Sequence, residues 1–254
     1  MRAVAFVAAL VLGSPRTARA QIDHSLFDRL LKAHVVGGLV DYDAFARTPE
    51  FARYLDQLAK ADLRQQSDDE QLAFWINVYN AYTIALINEH HERVSIRNIN
   101  KSLGFLQLKG PWNERLVHAA GRTLTLDEVE HRILRKQFHE PRVHFAIVAA
   151  AKGAPPLRSE AYTGAKLVDQ LWDQGRIWLT QYPDVNKWER NGLTLSPVFS
   201  AYFSDFANNH KEFGLYMAQW YDGEAREKLE AGKYFRRQSQ FDWALNVMPR
   251  AVTK

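Results

Sequence analysis

Residues 70–88 read EQLAFWINVYNAYTIALIN, and this stretch decides the fold. It is apolar almost all the way round a helical wheel, the pattern of a helix buried on most of its faces. It is therefore expected to be the central helix of the domain. Its polar exceptions, Asn77 and Asn80, stand three residues apart and share one face. A buried amide without partners costs about 1–3 kcal/mol, so both must either hydrogen-bond neighbouring loop backbone or line a cleft. Trp75 and Tyr79 lie on the same helix and could form a ligand wall beside them, with Trp112, Trp188 and Tyr202 as further walls. Aromatic residues at helical spacing belong equally well to a core.

Working outward, shorter helices are predicted on either side. Residues 25–36, SLFDRLLKAHVV, place Leu26, Leu30, Leu31 and His34 at helical spacing before Gly37-Gly38, and residues 50–61 repeat the pattern. LVDYDAF at 39–45 reads as extended. RLVHAAGRTLTL reads as a hairpin turning at Ala120-Gly121, and Thr125 to Glu128 as a capping box opening the helix LDEVEHRILRKQF. The alanine-rich run at 143–151 reads as a short helix or a buried strand. Residues 164–182 are helical by spacing, VNKWERNGLTLS carries a hairpin at Asn191-Gly192, Pro197 opens another helical stretch, and a single helix is expected over 212–231. The fold class is thus mainly α with small β-hairpins (α+β), one compact domain around the buried helix at about 70–88.

The first twenty residues, MRAVAFVAALVLGSPRTARA, have a cationic start, a short apolar run and an A-R-A ending. This predicts a signal peptide cleaved after Ala20, and hence a periplasmic or secreted protein with no stable membrane span once it is removed. Cleavage changes the charge. The full chain carries 33 Lys+Arg against 29 Asp+Glu, but losing Arg2, Arg16 and Arg19 leaves 30 against 29. A net charge of about +1 supplies no field for nucleic acid, which leaves the list of partners. The chain has no cysteine, so thiol catalysis and thiolate metal sites are excluded.

LVDYDAF, AFWINVYNAYT, SIRNI, TLDEVEHRILR, PRVHFAIVAAAKGAPPLRSEAY, LTLSPVFSAYFSDF and FDWALN occur in that order. Together they resemble the domain of unknown function 547 (DUF547) family, from about residue 27 to 246. The resemblance implies a mostly helical domain with small hairpins and supplies no reaction. It also implies two cysteines, at the positions of Ala149 and Ala154 here. Paired replacement by alanine fits a lost disulfide, while loss of a nucleophile would close any thiol route.

For chemistry, the best local constellation is Glu130, His131 and His144, with Arg158 and Glu160 after the Pro-Pro turn. Histidine titrates near neutrality, and a nearby carboxylate can fix its tautomer. In a regular helix, however, Glu130 and His131 point about 100° apart. His90-His91-Glu92 lacks the i, i+4 histidine spacing of a metalloprotease helix, and no P-loop, dinucleotide fingerprint or G-x-S-x-G elbow occurs. No cofactor and no metal site are therefore expected. Two functions remain open. One is a thiol-independent hydrolase or transferase, with His131 or His144 as base beside Glu130, Asn77 and Asn80 orienting substrate, and Arg158, Glu160, Trp75 and Tyr79 binding it. The other is a non-catalytic module that binds a small molecule, peptide or glycan.

Overall fold

A computed structural model describes residues 22–99 and 110–249. The expected signal peptide and its cleavage site lie outside the described residues. Helix α1 (Ser25–His34) leads into the two-residue strands β1 (Val35–Val36) and β2 (Leu39–Val40), with Gly37 and Gly38 at φ +55° and +80° in the turn between them. The extended reading of 39–45 holds only for Leu39 and Val40. Asp41 accepts the Ala44 N–H and caps α2 (Tyr42–Arg47), so the remainder is helix. Helix α3 (Pro49–Lys60) follows, and Ser67 then caps α4 (Asp68–Glu89) through the Glu70 N–H. Sixteen of the 22 residues of α4 are buried, so it is the central helix that its apolar sequence requires. Although α4 is long, no helix among the described residues is long and apolar enough to cross a membrane.

Strands β3 (Val117–Ala119) and β4 (Arg122–Leu124) pair antiparallel about Ala120 and Gly121, both at positive φ. Thr125 and Glu128 form the expected reciprocal capping box. The helix it opens is not regular. It runs as α5 (Leu126–Glu128), a π-helical segment (Val129–Leu134) and α6 (Arg135–Gln137). Helix α7 (Val143–Ala146) stops where Ile147 turns extended, so helix covers only the first four residues of the 143–151 run. Helix α8 (Leu167–Gln181) crosses behind α7.

The hairpin β5 (Lys187–Glu189) and β6 (Gly192–Leu195) turns one residue earlier than its Asn-Gly signal suggests, on Arg190 and Asn191 at φ +46° and +62°. Gly192 is instead the first paired residue of β6. A Cβ there would collide with the Phe235 ring, so glycine lets the parallel strand β7 (Phe235–Gln238) approach. Helices α9 (Val198–Ala201) and α10 (Phe203–Phe206) are separated by a break at Tyr202. The single helix expected over 212–231 is two, α11 (His210–Ala218) and α12 (Gly223–Glu230). Gly223, at φ +55°, lies outside the right-handed helical region and starts the second afresh.

The interior falls into two hydrophobic clusters. The larger surrounds α4 and includes Phe27, Tyr54, Phe74, Leu126 and Leu171; the smaller is aromatic and is centred on Phe145, Trp178, Phe199 and Phe213. Phe145 belongs to the second cluster and Ala146 to the first, so the chain passes from one to the other immediately after His144.

Candidate functional site

A cleft of about 490 Å³ opens at this seam. The volume suits a small organic ligand. Tyr79 of α4 and Ile147 line one side, and Val198, Ala201 and Tyr202 the other. The helix that begins at Thr125 contributes Asp127, Glu130 and His131 to the same cleft. Part of this stretch is the π-helical segment, and such segments are frequent at functional sites. Glu130 and His131 stand three and four residues after Asp127 on one helix face, so both reach the cleft although they are adjacent.

Glu130 is 8% exposed. The Tyr79 hydroxyl donates to its Oε2 at 3.3 Å, and the Tyr202 phenol lies near enough to feel its charge. Burial, reinforced by the adjacent Glu130 charge, holds both phenols well above their ordinary range, so they remain neutral donors. No Lys, Arg or His nitrogen forms an ion pair with Glu130 among the described residues.

His144 is 2% exposed and lies beneath Tyr202, stacked at 4.2 Å between ring centres, with Phe206 at 5.3 Å. Its Nε2 meets Asp205 Oδ2 at 2.8 Å. Asp205 is also gripped by Arg135, whose Nε and Nη2 reach Oδ2 and Oδ1 at 2.6 and 2.9 Å. Arg135, followed by His144, holds the Asp205 carboxyl below its ordinary range. An ionised Asp205 accepts, so Nε2 carries the imidazole proton and Nδ1 the lone pair. Burial lowers the His144 pKa despite this partner. Arg135 Nη1 also donates to His131 Nδ1 at 3.0 Å, and its guanidinium lies 4.7 Å above the Tyr202 ring. Asp127 is 3.5 Å from His131 Nε2.

Other residues proposed from sequence lie elsewhere. Asn77 donates to Tyr162 O at 2.7 Å and accepts from Tyr162 N at 3.0 Å; Asn80 does the same with Ala146 O (2.9 Å) and Val148 N (3.0 Å). Each amide closes a backbone segment onto α4, and neither lines the cleft. Arg158 pairs with Asp173 at 2.8 Å and Glu160 at 3.1 Å, while Glu160 also accepts from Gln170. This network lies against α8 and not in the cleft. Trp75 is buried edge-on to Phe74, and Trp188 of β5 faces Tyr221. Trp112 does line the cleft, as do Ala149 and Ala154, the positions where the resemblance implies cysteines. Among the described residues no three His, Asp or Glu side chains converge as a metal site.

Sequence reasoning missed Asp205, Arg135, Phe241 and Trp243. The spacing of Asp127, His131 and Arg135, each four residues apart, could have signalled one polar helix face. Nothing local marks Asp205, which is 61 residues from His144.

Fold and site together define a mainly α domain with an aromatic-walled, carboxylate-floored cleft between two hydrophobic clusters. The family model described as "Protein of unknown function, DUF547" matches residues 63–179 of the chain. Four of the seven quoted blocks fall inside it, as do Tyr79, Glu130, His131, His144, Ala149 and Ala154. The opposite wall, with Tyr202 and Trp243, lies beyond it. No curated protein and no solved structure matches the chain.

Proposed function

We propose that this is an exported recognition protein whose cleft binds a small organic ligand, or the end of a peptide or glycan, without a covalent step. One observation carries the reading: the buried Glu130 carboxylate, bonded by the neutral Tyr79 phenol, stands at the floor of an aromatic-walled cleft. Aromatic walls with a few placed polar groups are the usual chemistry of ligand sites. No Ser, Thr, Cys or Lys occurs among the described lining residues, and alanine stands at both positions where relatives are expected to carry a thiol. The His144 imidazole is clamped by Asp205, Tyr202 and Phe206. The asparagines and the arginine that a catalytic set would have used are bonded elsewhere.

The test is ligand-observed NMR on the purified protein with a panel of amines, sugars and short peptides, run beside ester, amide and glycoside reporter substrates. Saturable binding that is weakened by Tyr79→Phe and Trp112→Ala, with no turnover, is expected. Turnover abolished by Glu130→Gln would overturn the reading in favour of acid–base catalysis. Export is tested by fractionating expressing cells and sequencing the product's N-terminus. An uncleaved cytoplasmic product would refute it.

A further inference from the structure

We infer that the ligand of this cleft carries a cationic head, an amine or a quaternary ammonium, seated against Glu130 and Asp127 between the aromatic walls. The inference rests on the reading of the cleft as a binding site and narrows the ligand's class.

The first argument is charge. Asp127 and Glu130 line the cleft, and no lysine or arginine is among the described lining residues. Arg135, which feels the Glu130 charge, is committed bidentately to Asp205 and makes no ion pair with Glu130. His144 is held toward its neutral form by burial. The cleft is therefore an acidic site with low-dielectric walls, which concentrates cations. A carboxylate as buried as Glu130 is normally paired with a cation or bound to a metal, yet its hydrogen bond comes from the neutral Tyr79 hydroxyl. A ligand cation would supply the missing partner.

The second argument is the walls. Trp112, Trp243, Phe241, Tyr79 and Tyr202 face the same cleft. Trp112 and Trp243 meet at 6.3 Å with planes 62° apart, and Phe241 packs on Trp243 at 4.4 Å, so the indoles form a corner and not a flat stack. Aromatic rings gathered round one volume are a recognised means of holding an alkylated ammonium group. Two of these rings already hold cations of the chain itself, Arg135 at 4.7 Å from Tyr202 and Arg97 at 5.3 Å from Trp243. Neutral sugars would exploit the rings equally well but would leave the Glu130 charge unanswered.

The experiment compares choline with its neutral isostere 3,3-dimethyl-1-butanol, and butylamine with butanol, by titration into the protein. The indole N–H signals of Trp112 and Trp243, assigned with Trp112→Phe and Trp243→Phe, are followed. At least one cation is expected to shift both signals saturably and to bind about tenfold tighter than its neutral partner. Glu130→Gln should remove that tenfold preference. If Glu130→Gln does not fold, judged by circular dichroism, Asp127→Asn on the more open side is expected to weaken the cation two- to fivefold. Equal binding of cation and alcohol overturns the cationic head but leaves the binding cleft standing. If neither cation shifts the indole signals, the inference falls; if the wider panel is also silent, the binding reading falls with it.

Discussion

Replacing Asn80 by alanine removes the clasp between the central helix and the segment that carries His144 and Ala149. The side chain makes two buried bonds, donating to Ala146 O at 2.9 Å and accepting from Val148 N at 3.0 Å. Asn80 is 3% exposed, so no water is at hand to replace it. Each orphaned backbone group costs on the order of 1–3 kcal/mol, and the two together about 2–4 kcal/mol once partial relaxation is allowed. In a chain of this size that lowers the melting temperature by roughly 5–15 °C. Urea unfolding at pH 7 should show the loss as a lower midpoint at unchanged slope. Asn80→Asp sharpens the test. Its carboxylate still accepts from Val148 N but opposes Ala146 O, and burial raises its folded pKa above the unfolded value of about 3.9. The sign follows from linkage: this variant is closest to wild type below about pH 4, where the protonated carboxyl can donate to Ala146 O. Its deficit should grow as the pH rises through the folded pKa. A loss below about 0.5 kcal/mol for Asn80→Ala, or a deficit independent of pH for Asn80→Asp, would refute the clasp. It would also return Asn80 to the candidates for ligand contact.

Two further predictions concern the fold around the site. His24 is 2% exposed, with Nδ1 2.7 Å from the Tyr54 hydroxyl, and burial lowers its pKa from 6.5 to about 4. The unfolded chain takes up the proton first, so this stability is complete above about pH 6.5 and is lost as the pH falls toward 4, roughly 3 kcal/mol in all. Urea titrations should show wild type losing that amount relative to His24→Phe between pH 7 and 4, and parallel profiles would count against it. At Gly164, whose N–H donates to Glu70 Oε2 at 2.8 Å, a Cβ would stand 2.8 Å from the Glu70 backbone nitrogen. Gly164→Ala should therefore cost about 1–3 kcal/mol by chemical denaturation, because the obstacle is helix backbone that cannot move aside. A neutral substitution would show that the start of α4 is more yielding than its packing implies.

How far the site could be read in advance depended on the range of each interaction. Glu130 and His131 were legible as candidates because they are adjacent, while Asp127, one turn earlier on the same face, and the π segment were not read from the letters. Asn77 and Asn80 were legible as buried amides that needed partners. Which partners they had depended on residues 66 to 85 positions away. Arg158 and Glu160 drew attention by following the Pro-Pro turn, yet Asp173, one helix later, takes up the guanidinium. Asp205 and Trp243 had no local pattern to mark them.

The sequence by itself determined the central helix, because apolar residues on every side of α4 leave no other way to remove that surface from water. It also determined the cap at Thr125, the Gly-mediated turns and the absence of thiol chemistry, each of which rests on one or a few neighbouring residues. Only the tertiary structure decided that Tyr79 bonds Glu130, that Asp205 reaches His144 across 61 residues, and that Ala149 and Ala154 face an open cleft. The physical reason is that local preference and periodicity act over a turn or two of chain. The partner of a buried charge is chosen by whichever distant segment the packing of two hydrophobic clusters brings beside it.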